Sequence, residues 1–441
     1  MLPADSTVVV VGAGQAGFQA AASLREQGYA GRVVLIGDEP ALPYQRPPLS
    51  KAHLQADAED ARLHFRPDTF FAERAIERMT PERVTRVDRE RCEVQLASGG
   101  RVAYNHLVLA TGTRPRRPTW PGAELEGVRL LRTLEDARHI RHALRTARHV
   151  VIVGAGFIGL EVASTVIAAG LRATVIEIAE RPLKRALSAA VGAHLQRVHE
   201  SRGVEFWLGT AVAALEGEAG RVVSVRTVDG RRIEADLVLV GIGVQANSEL
   251  AEAAGLHVAD GIVVDAHLAT ADPHISAIGD CARYPSVHHP VPVRLESVQN
   301  SVDHARSVAA RLAGKPAPYD KLPWFWSDQG DLRLQMCGLA GDADEAVLRG
   351  DPADGKFSVL RFRGERLSAV ESVNHPADHM GWRKVLAAGL SPSRGQAADI
   401  AFKPGSLMSS PAVPAALAPA SSAAPAASAG APPPPPDAGP A

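Results

Sequence analysis

"VVIVGAGFIGLEVA", Val150 to Ala163, is an apolar run that passes through a glycine turn into a helical stretch. Its glycines fall as Gly154-x-Gly156-x-x-Gly159. In such a turn the first glycine permits the tight bend and the second lets the backbone approach a pyrophosphate. The third lets the helix pack closely on the strand. The phosphates then lie on the helix N-terminus, where free amides and the helix dipole favour negative charge. The same design occurs near the start as "VVVVGAGQAG", Val8 to Gly17, with Gly12, Gly14 and Gly17 in the three positions. One chain thus carries two dinucleotide cradles.

Each cradle is followed by an acid at the end of the next predicted strand. After the first this is Asp38, placed to bind ribose hydroxyls, with Glu39 beside it as a rival. After the second it is Glu177. A carboxylate there accepts bonds from both ribose hydroxyls and repels a 2′-phosphate, which favours NADH over NADPH. Arg181, Lys184 and Arg185 lie close enough in sequence to pull the other way.

The surrounding segments repeat as well. Both units read as strand, glycine turn, helix, strand, meander and closing strand, the second meander turning on Asp229-Gly230. A short strand in "ISAIGD" and a helical stretch from Glu296 to Ala313 resume the first unit after the second. From Leu322 to about Ala388, short strands and a final helix predict a small α+β domain. The expected architecture is α/β, with two Rossmann-like domains. A flavin domain occupies residues 1–117 and 246–320, a nicotinamide domain 118–245, and a C-terminal domain 321–405. Residues 406–441, rich in Ala and Pro, have too little apolar side-chain volume for a core and are expected to be a disordered tail.

Bulk properties narrow the function classes. A net charge of −1 gives no overall match to nucleic acid or an anionic membrane. The chain starts without a basic, cleavable leader, and no run approaches the length of a membrane span, so a cytoplasmic protein is expected. Cys92, Cys281 and Cys337 are isolated, which suits reduced thiols rather than a disulfide framework or metal cluster. His288-His289 and the i, i+4 pair His375/His379 lack a third ligand at metal spacing, and a surface or packing role is expected for them.

The order of the cradle, "LPYQRPPLSK", "LVLATGTRPR", the second cradle, "AIGDCA", "RLESVQN" and "PWFWSDQ" resembles one family over about residues 6 to 400. It is that of the flavin-dependent, NADH-using ferredoxin reductases of bacterial oxygenase systems, putidaredoxin reductase-like members of the pyridine nucleotide-disulfide oxidoreductase superfamily. The resemblance implies FAD in the first unit, NADH in the inserted second, and a C-terminal domain closing over the flavin. It implies that Gly12, Gly14, Gly17 and Asp38 hold the adenosine half of FAD, and that Arg46 and Lys51 reach the pyrophosphate side and the isoalloxazine. Thr111 and Gly112 pass close to the flavin nucleotide, Asp280 binds the ribityl chain, and Val298 lies by the pyrimidine edge. Trp326 sits beside the flavin. At i and i+2 in a strand, Trp324 and Trp326 face one way, which suits a lid over a flat ring or simply two core aromatics.

The resemblance also pairs Lys51 with Glu161, two residues past Gly159. On its own residues Glu161 reads as a carboxylate supporting a helix start, worth ~0.5 kcal/mol. As a partner of Lys51 it becomes a partly buried ion pair near flavin N5 that links the two cofactor domains. No cysteine pair lies near the first cradle or within the second unit, so electrons have no internal dithiol to go to. The expected acceptor is a 2Fe–2S ferredoxin serving an oxygenase, with the enzyme a monomer or weak homodimer. The alternatives are an NADH oxidase, a rubredoxin reductase, or a redox-sensing scaffold resembling apoptosis-inducing factor.

Overall fold

The computed structural model describes residues 2 to 409 apart from Ala4 and Ala56; the Ala/Pro-rich segment expected to be a tail lies almost wholly outside the described residues. Val8, Val9 and Val10 form the centre of strand Thr7–Val11, all fully buried because a parallel strand is covered on both faces. Burying each such side chain contributes about 1.5–3 kcal/mol. This strand is the middle of a five-stranded parallel sheet, flanked by Arg32–Ile36 and Ile76–Met79 on one side and His106–Leu109 on the other. The outer position next to His106–Leu109 is taken by Ile275–Ala277, which comes only after the whole inserted unit.

The second unit repeats the arrangement. His149–Val153 is central, between Arg172–Ile176 with Val204–Trp207 beyond it and Leu237–Val240 with Val128–Arg129 beyond it, all parallel. Each unit carries a three-stranded antiparallel meander, Val84–Asp88/Glu93–Leu96/Arg101–Ala103 in the first and Val212–Glu218/Arg221–Thr227/Arg232–Glu234 in the second. The stretch "RVAYNHLVLATG", Arg101 to Gly112, holds two strands. Arg101–Ala103 ends the meander and His106–Leu109 enters the parallel sheet, because the two segments pair in different sheets. The chain leaves the first unit along Thr113–Pro115 and returns along Val244–Ala246, and these crossings pair antiparallel.

The C-terminal unit is a five-stranded antiparallel sheet in the order Trp324–Gln329, Leu332–Gly338, Arg366–Val373, Phe357–Arg363, Glu345–Arg349. Helix Pro376–Ala387 buries Trp382, Val385 and Leu386 with this sheet's side chains. The 3-10 turn Pro404–Ser409 packs on that helix, so helical structure continues past residue 405, the limit expected for this domain. Composition changes only at Pro411 and is blind to this last turn.

One apolar cluster joins all three units. Tyr44, Leu49, Leu54 and Leu63 of the first meet Ile152, Leu160 and Leu195 of the second and Leu334, Phe357 and Val373 of the third. None of the described helices is long and apolar enough to cross a membrane.

Candidate active site at the junction of three units

The glycines of the two cradles answer to two different demands. A Cβ on Gly12 would lie 2.2 Å from the Ala110 carbonyl oxygen, and φ is +107° there. A Cβ on Gly17 would lie 1.8 Å from the Gly12 oxygen. The protein's own backbone therefore requires both. Gly14 is different: its backbone is one any residue adopts, and a Cβ would meet nothing within 4 Å. The second cradle repeats this, with Gly154 and Gly159 blocked at 2.3 and 2.2 Å by the Gly241 and Gly154 oxygens and Gly156 open. Both helices that follow, Gln15–Glu26 and Phe157–Ala168, start without a side-chain cap or an acid in the first turn. Free amides beside an open approach at the middle glycine fit a pyrophosphate in each cradle.

Asp38 and Glu39 differ in their surroundings. Glu39 is spent, accepting from Tyr44 Oη and Arg46 Nη2 at 2.5 Å each. Burial pushes the Tyr44 phenol up, so it stays protonated and donates. Asp38 is exposed, with no partner among the described residues. In the second cradle Glu177 accepts from the Ala155 and Ala179 amides at 2.7 and 2.9 Å, which fixes its carboxylate at the cradle mouth. Arg181 turns away to the Lys184 and Leu187 carbonyls, and Lys184 pairs with Glu180 at 2.7 Å. Of the three cations near Glu177 only Arg185 is without a partner among the described residues.

Arg46 does not stand alone on its loop. Its Nη1 donates to the Arg132 carbonyl at 2.6 Å, and the Arg132 guanidinium reaches Asp280 at 3.4 Å. A Cβ on Gly112, whose φ is +66°, would lie 3.3 Å from Arg132 Nη2. Burial and the neighbouring Arg46 charge both hold the Arg132 pKa down, with Asp280 opposing. Arg46 is paired with Glu39 and Arg132 with Asp280, so two half-buried cations lie side by side, each with its own carboxylate. Arg132 is the residue sequence reasoning missed; an arginine just before the Thr133 capping box was the only local sign of it. Thr111 is held by reciprocal bonds with Asn247, Oγ1 to the Asn247 carbonyl at 2.5 Å and Nδ2 of Asn247 to the Thr111 carbonyl at 2.8 Å. Thr113 and Ser301 approach Asp280 at 3.4 and 3.5 Å, and Val298 opens the helix Val298–Leu312 behind it.

Lys51 and Glu161 are brought together, Nζ to Oε2, at 2.6 Å. Glu161 is 5% exposed and sits in the second turn of the second cradle's helix. Lys51 follows the 3-10 turn Pro47–Ser50 of the first unit. Ser50 Oγ donates to the same carboxylate at 2.5 Å, and Ser327 Oγ of the C-terminal sheet donates to Oε1 at 2.6 Å. In the same strand Trp324 and Trp326 lie face-side together, ring centres 5.4 Å apart, with Arg383 over Trp324. Phe325 points the opposite way onto Phe157 of the second cradle.

The remaining candidates play structural parts. His379 is fully buried in the C-terminal unit and His375 lies beside Asp378 at 3.7 Å. Among the described residues no group of three or more His, Cys, Asp or Glu could hold a metal ion. Cys281 and Cys337 are buried free thiols, and burial raises both pKa values. Of the arginines near the chain crossing, Arg114 is committed to Glu249 and Asn247.

Comparison with known proteins agrees with this geometry. Residues 6–305 match the family model for pyridine nucleotide-disulphide oxidoreductases, and residues 324–408 match that for the reductase C-terminal domain. Rhodocoxin reductase of Rhodococcus erythropolis is 47% identical over 396 residues, 90% of this chain and 93% of that protein. The crystal structure of the ferredoxin reductase for the CYP199A2 system of Rhodopseudomonas palustris superposes with a TM-score of 0.89 at 47% identity, covering 91% of this chain and 99% of that one. The reductase in a covalent putidaredoxin reductase–putidaredoxin complex gives the same score at 39% identity, covering 92% and 99%.

Proposed function

The chain belongs to the pyridine nucleotide-disulphide oxidoreductases, and on that premise we propose that it passes electrons from NADH through FAD to a 2Fe–2S ferredoxin that serves an oxygenase. The observation that carries this reading is the meeting at Glu161. One carboxylate takes donors from the flavin unit, on Ser50 and Lys51, and from the C-terminal unit, on Ser327, while standing on the helix of the nicotinamide cradle. Such a junction supports two cradles that present their ligands to one another. The flavin, when bound, accepts a hydride and releases electrons singly.

The protein's part is binding, alignment and electrostatics. Gly12, Gly14 and Gly17 with the first-helix amides take the FAD pyrophosphate, and Asp38 the adenosine ribose. Arg46, Arg132 and Asp280 line the flavin's polar chain, with Thr111, Gly112 and Val298 around it. Gly154, Gly156, Gly159 and Glu177 do the same for NADH, Glu177 setting the preference against a 2′-phosphate. Lys51 and Glu161 hold charge at the hydride-transfer face, and Trp326 covers the ring. The three free cysteines are far apart in sequence and two are buried, so the acceptor is external. We place the protein in the cytoplasm as a monomer or weak homodimer, with no part in binding nucleic acid or membrane.

Stopped-flow reduction of the flavin by NADH, followed by mixing with a 2Fe–2S ferredoxin, a rubredoxin and air, tests the reading. Rapid reoxidation by the ferredoxin is expected. Faster reoxidation by rubredoxin or by air would replace this acceptor, and slow reduction with a long-lived charge-transfer band would point to the scaffold role.

A further inference from the structure

Glu161 has two oxygens and three donors, and the donors are unequal. Ser50 and Lys51 both address Oε2, at 2.5 and 2.6 Å. Oε1 has Ser327 alone, at 2.6 Å. Ser327 is fully buried, and its own orientation is fixed from behind. Gln329 Nε2 donates to its oxygen at 3.3 Å, leaving the hydroxyl proton to point at Glu161. Gln329 is held in turn by His199 at 2.8 Å through Oε1, and by Arg202 at 2.9 Å through its carbonyl. A continuous buried line of polar groups therefore runs from helix Ala189–Ser201, through the first strand of the C-terminal sheet, to the Lys51–Glu161 pair.

A carboxylate in a dry site turns until both oxygens are satisfied, because each unfilled acceptor carries a desolvation penalty. With Ser327 in place Oε1 is filled from the C-terminal side, and Oε2 is left to face Lys51. Without it Oε1 has no donor among the described residues, and the carboxylate is free to swing toward Lys51 or Ser50 with either oxygen. Lys51 has a second acceptor, the Pro47 carbonyl at 3.1 Å, to which it can retreat.

We propose that Ser327 is a positioning residue for electron transfer: through Glu161 it holds Lys51 at the face where the two cradle ligands meet. The proposal rests on the functional reading above and adds a role for the C-terminal strand beyond covering the ring. Ser327 touches neither ligand in this scheme; it acts only through Glu161.

The test uses the flavin-loaded protein with Ser327→Ala, Glu161→Gln and the double variant. In stopped flow, Ser327→Ala should lower the limiting rate of flavin reduction about tenfold, the scale of one charge-assisted hydrogen bond. The dissociation constant for NADH and the FAD content should hold steady. In the Glu161→Gln background the same substitution should have little further effect, since the two act as one unit. Hydrogen exchange gives a readout independent of turnover: in Ser327→Ala the amides of residues 47–54 should exchange faster, while those of helix Val298–Leu312 keep their protection. An undiminished rate, a tenfold loss that persists in the Glu161→Gln background, or unchanged exchange at 47–54 would each overturn the proposal. If the parent protein failed to oxidise NADH, the functional reading would fall, and the exchange result would still decide whether Ser327 holds Lys51.

Discussion

Gly156→Ala separates what the fold needs from what the ligand needs. Gly156 has φ −79° and an open Cβ direction, so alanine fits without moving any atom of the chain. Removing glycine's freedom from the unfolded state should stabilise the protein by about 0.4–1 kcal/mol. That corresponds to a rise in Tm of roughly 1–4 °C for a domain of this size. The new methyl, however, stands where the pyrophosphate must approach the backbone. Displacing that contact should raise the dissociation constant for NADH about tenfold or more, at 1.4 kcal/mol per factor of ten. Gly159→Ala is the contrasting variant: its Cβ would lie 2.2 Å from the Gly154 oxygen, about an ångström inside contact, and overpacking of that kind costs about 1–3 kcal/mol. Calorimetry gives the stability of each variant, and the NADH dependence of flavin reduction gives the affinity. An unchanged NADH affinity in Gly156→Ala, or a Tm loss matching that of Gly159→Ala, would refute the reasoning.

Other substitutions bear on separate parts of the site. Asp38→Ala should weaken FAD retention while leaving the Tyr44–Glu39–Arg46 contacts intact, as equilibrium dialysis against free FAD would show; a loss confined to Glu39→Ala would exchange their roles. Arg132→Ala should likewise release FAD more readily, by removing a half-buried cation that faces Asp280, and Arg132→Lys should restore part of the retention. Lys51→Met strands a buried Glu161 carboxylate, which costs roughly 3–5 kcal/mol, so flavin reduction should slow far more than FAD is lost. His379, fully buried with both ring nitrogens unpartnered, is pushed down to about 4 by burial first and then by Arg383, with Asp378 opposing. It is neutral in the fold, so its contribution is complete above the unfolded value near 6.5 and is lost as pH falls toward 4, at about 1.4 kcal/mol per pH unit. His379→Leu should therefore flatten the acid limb of urea-unfolding stability between pH 7 and pH 4.5, and an unaltered slope would count against a buried neutral ring.

What sequence made legible was whatever repeats or lies close along the chain. Two valine-rich strands with their glycines predict both parallel sheets, and the interrupted first unit could be read from "ISAIGD" alone. The sequence favours Asp38 over Glu39; what was not legible is that Tyr44 and Arg46 turn back onto Glu39. Arg132 and Ser327 escaped for a similar reason. Each is an ordinary residue in its own segment and acquires a partner only when three units close. Glu161 was reached through resemblance, since its local surroundings read as a helix start. For the histidine pair of the C-terminal helix, the lack of a third ligand at metal spacing points to a surface or packing role, and one ring lies in the core and the other at the helix cap.

The antiparallel pairing of Thr113–Pro115 with Val244–Ala246 has a consequence for how such proteins can be recombined. Entry and exit of the inserted unit lie side by side, joined by three antiparallel residue pairs and clasped by Thr111 and Asn247, so the segment between them is contiguous in the gene and returns to its starting point in the fold. Exchanging that one contiguous stretch of gene between relatives would test whether nicotinamide preference travels with it, provided the graft carries a carboxylate able to meet Lys51 and Ser327.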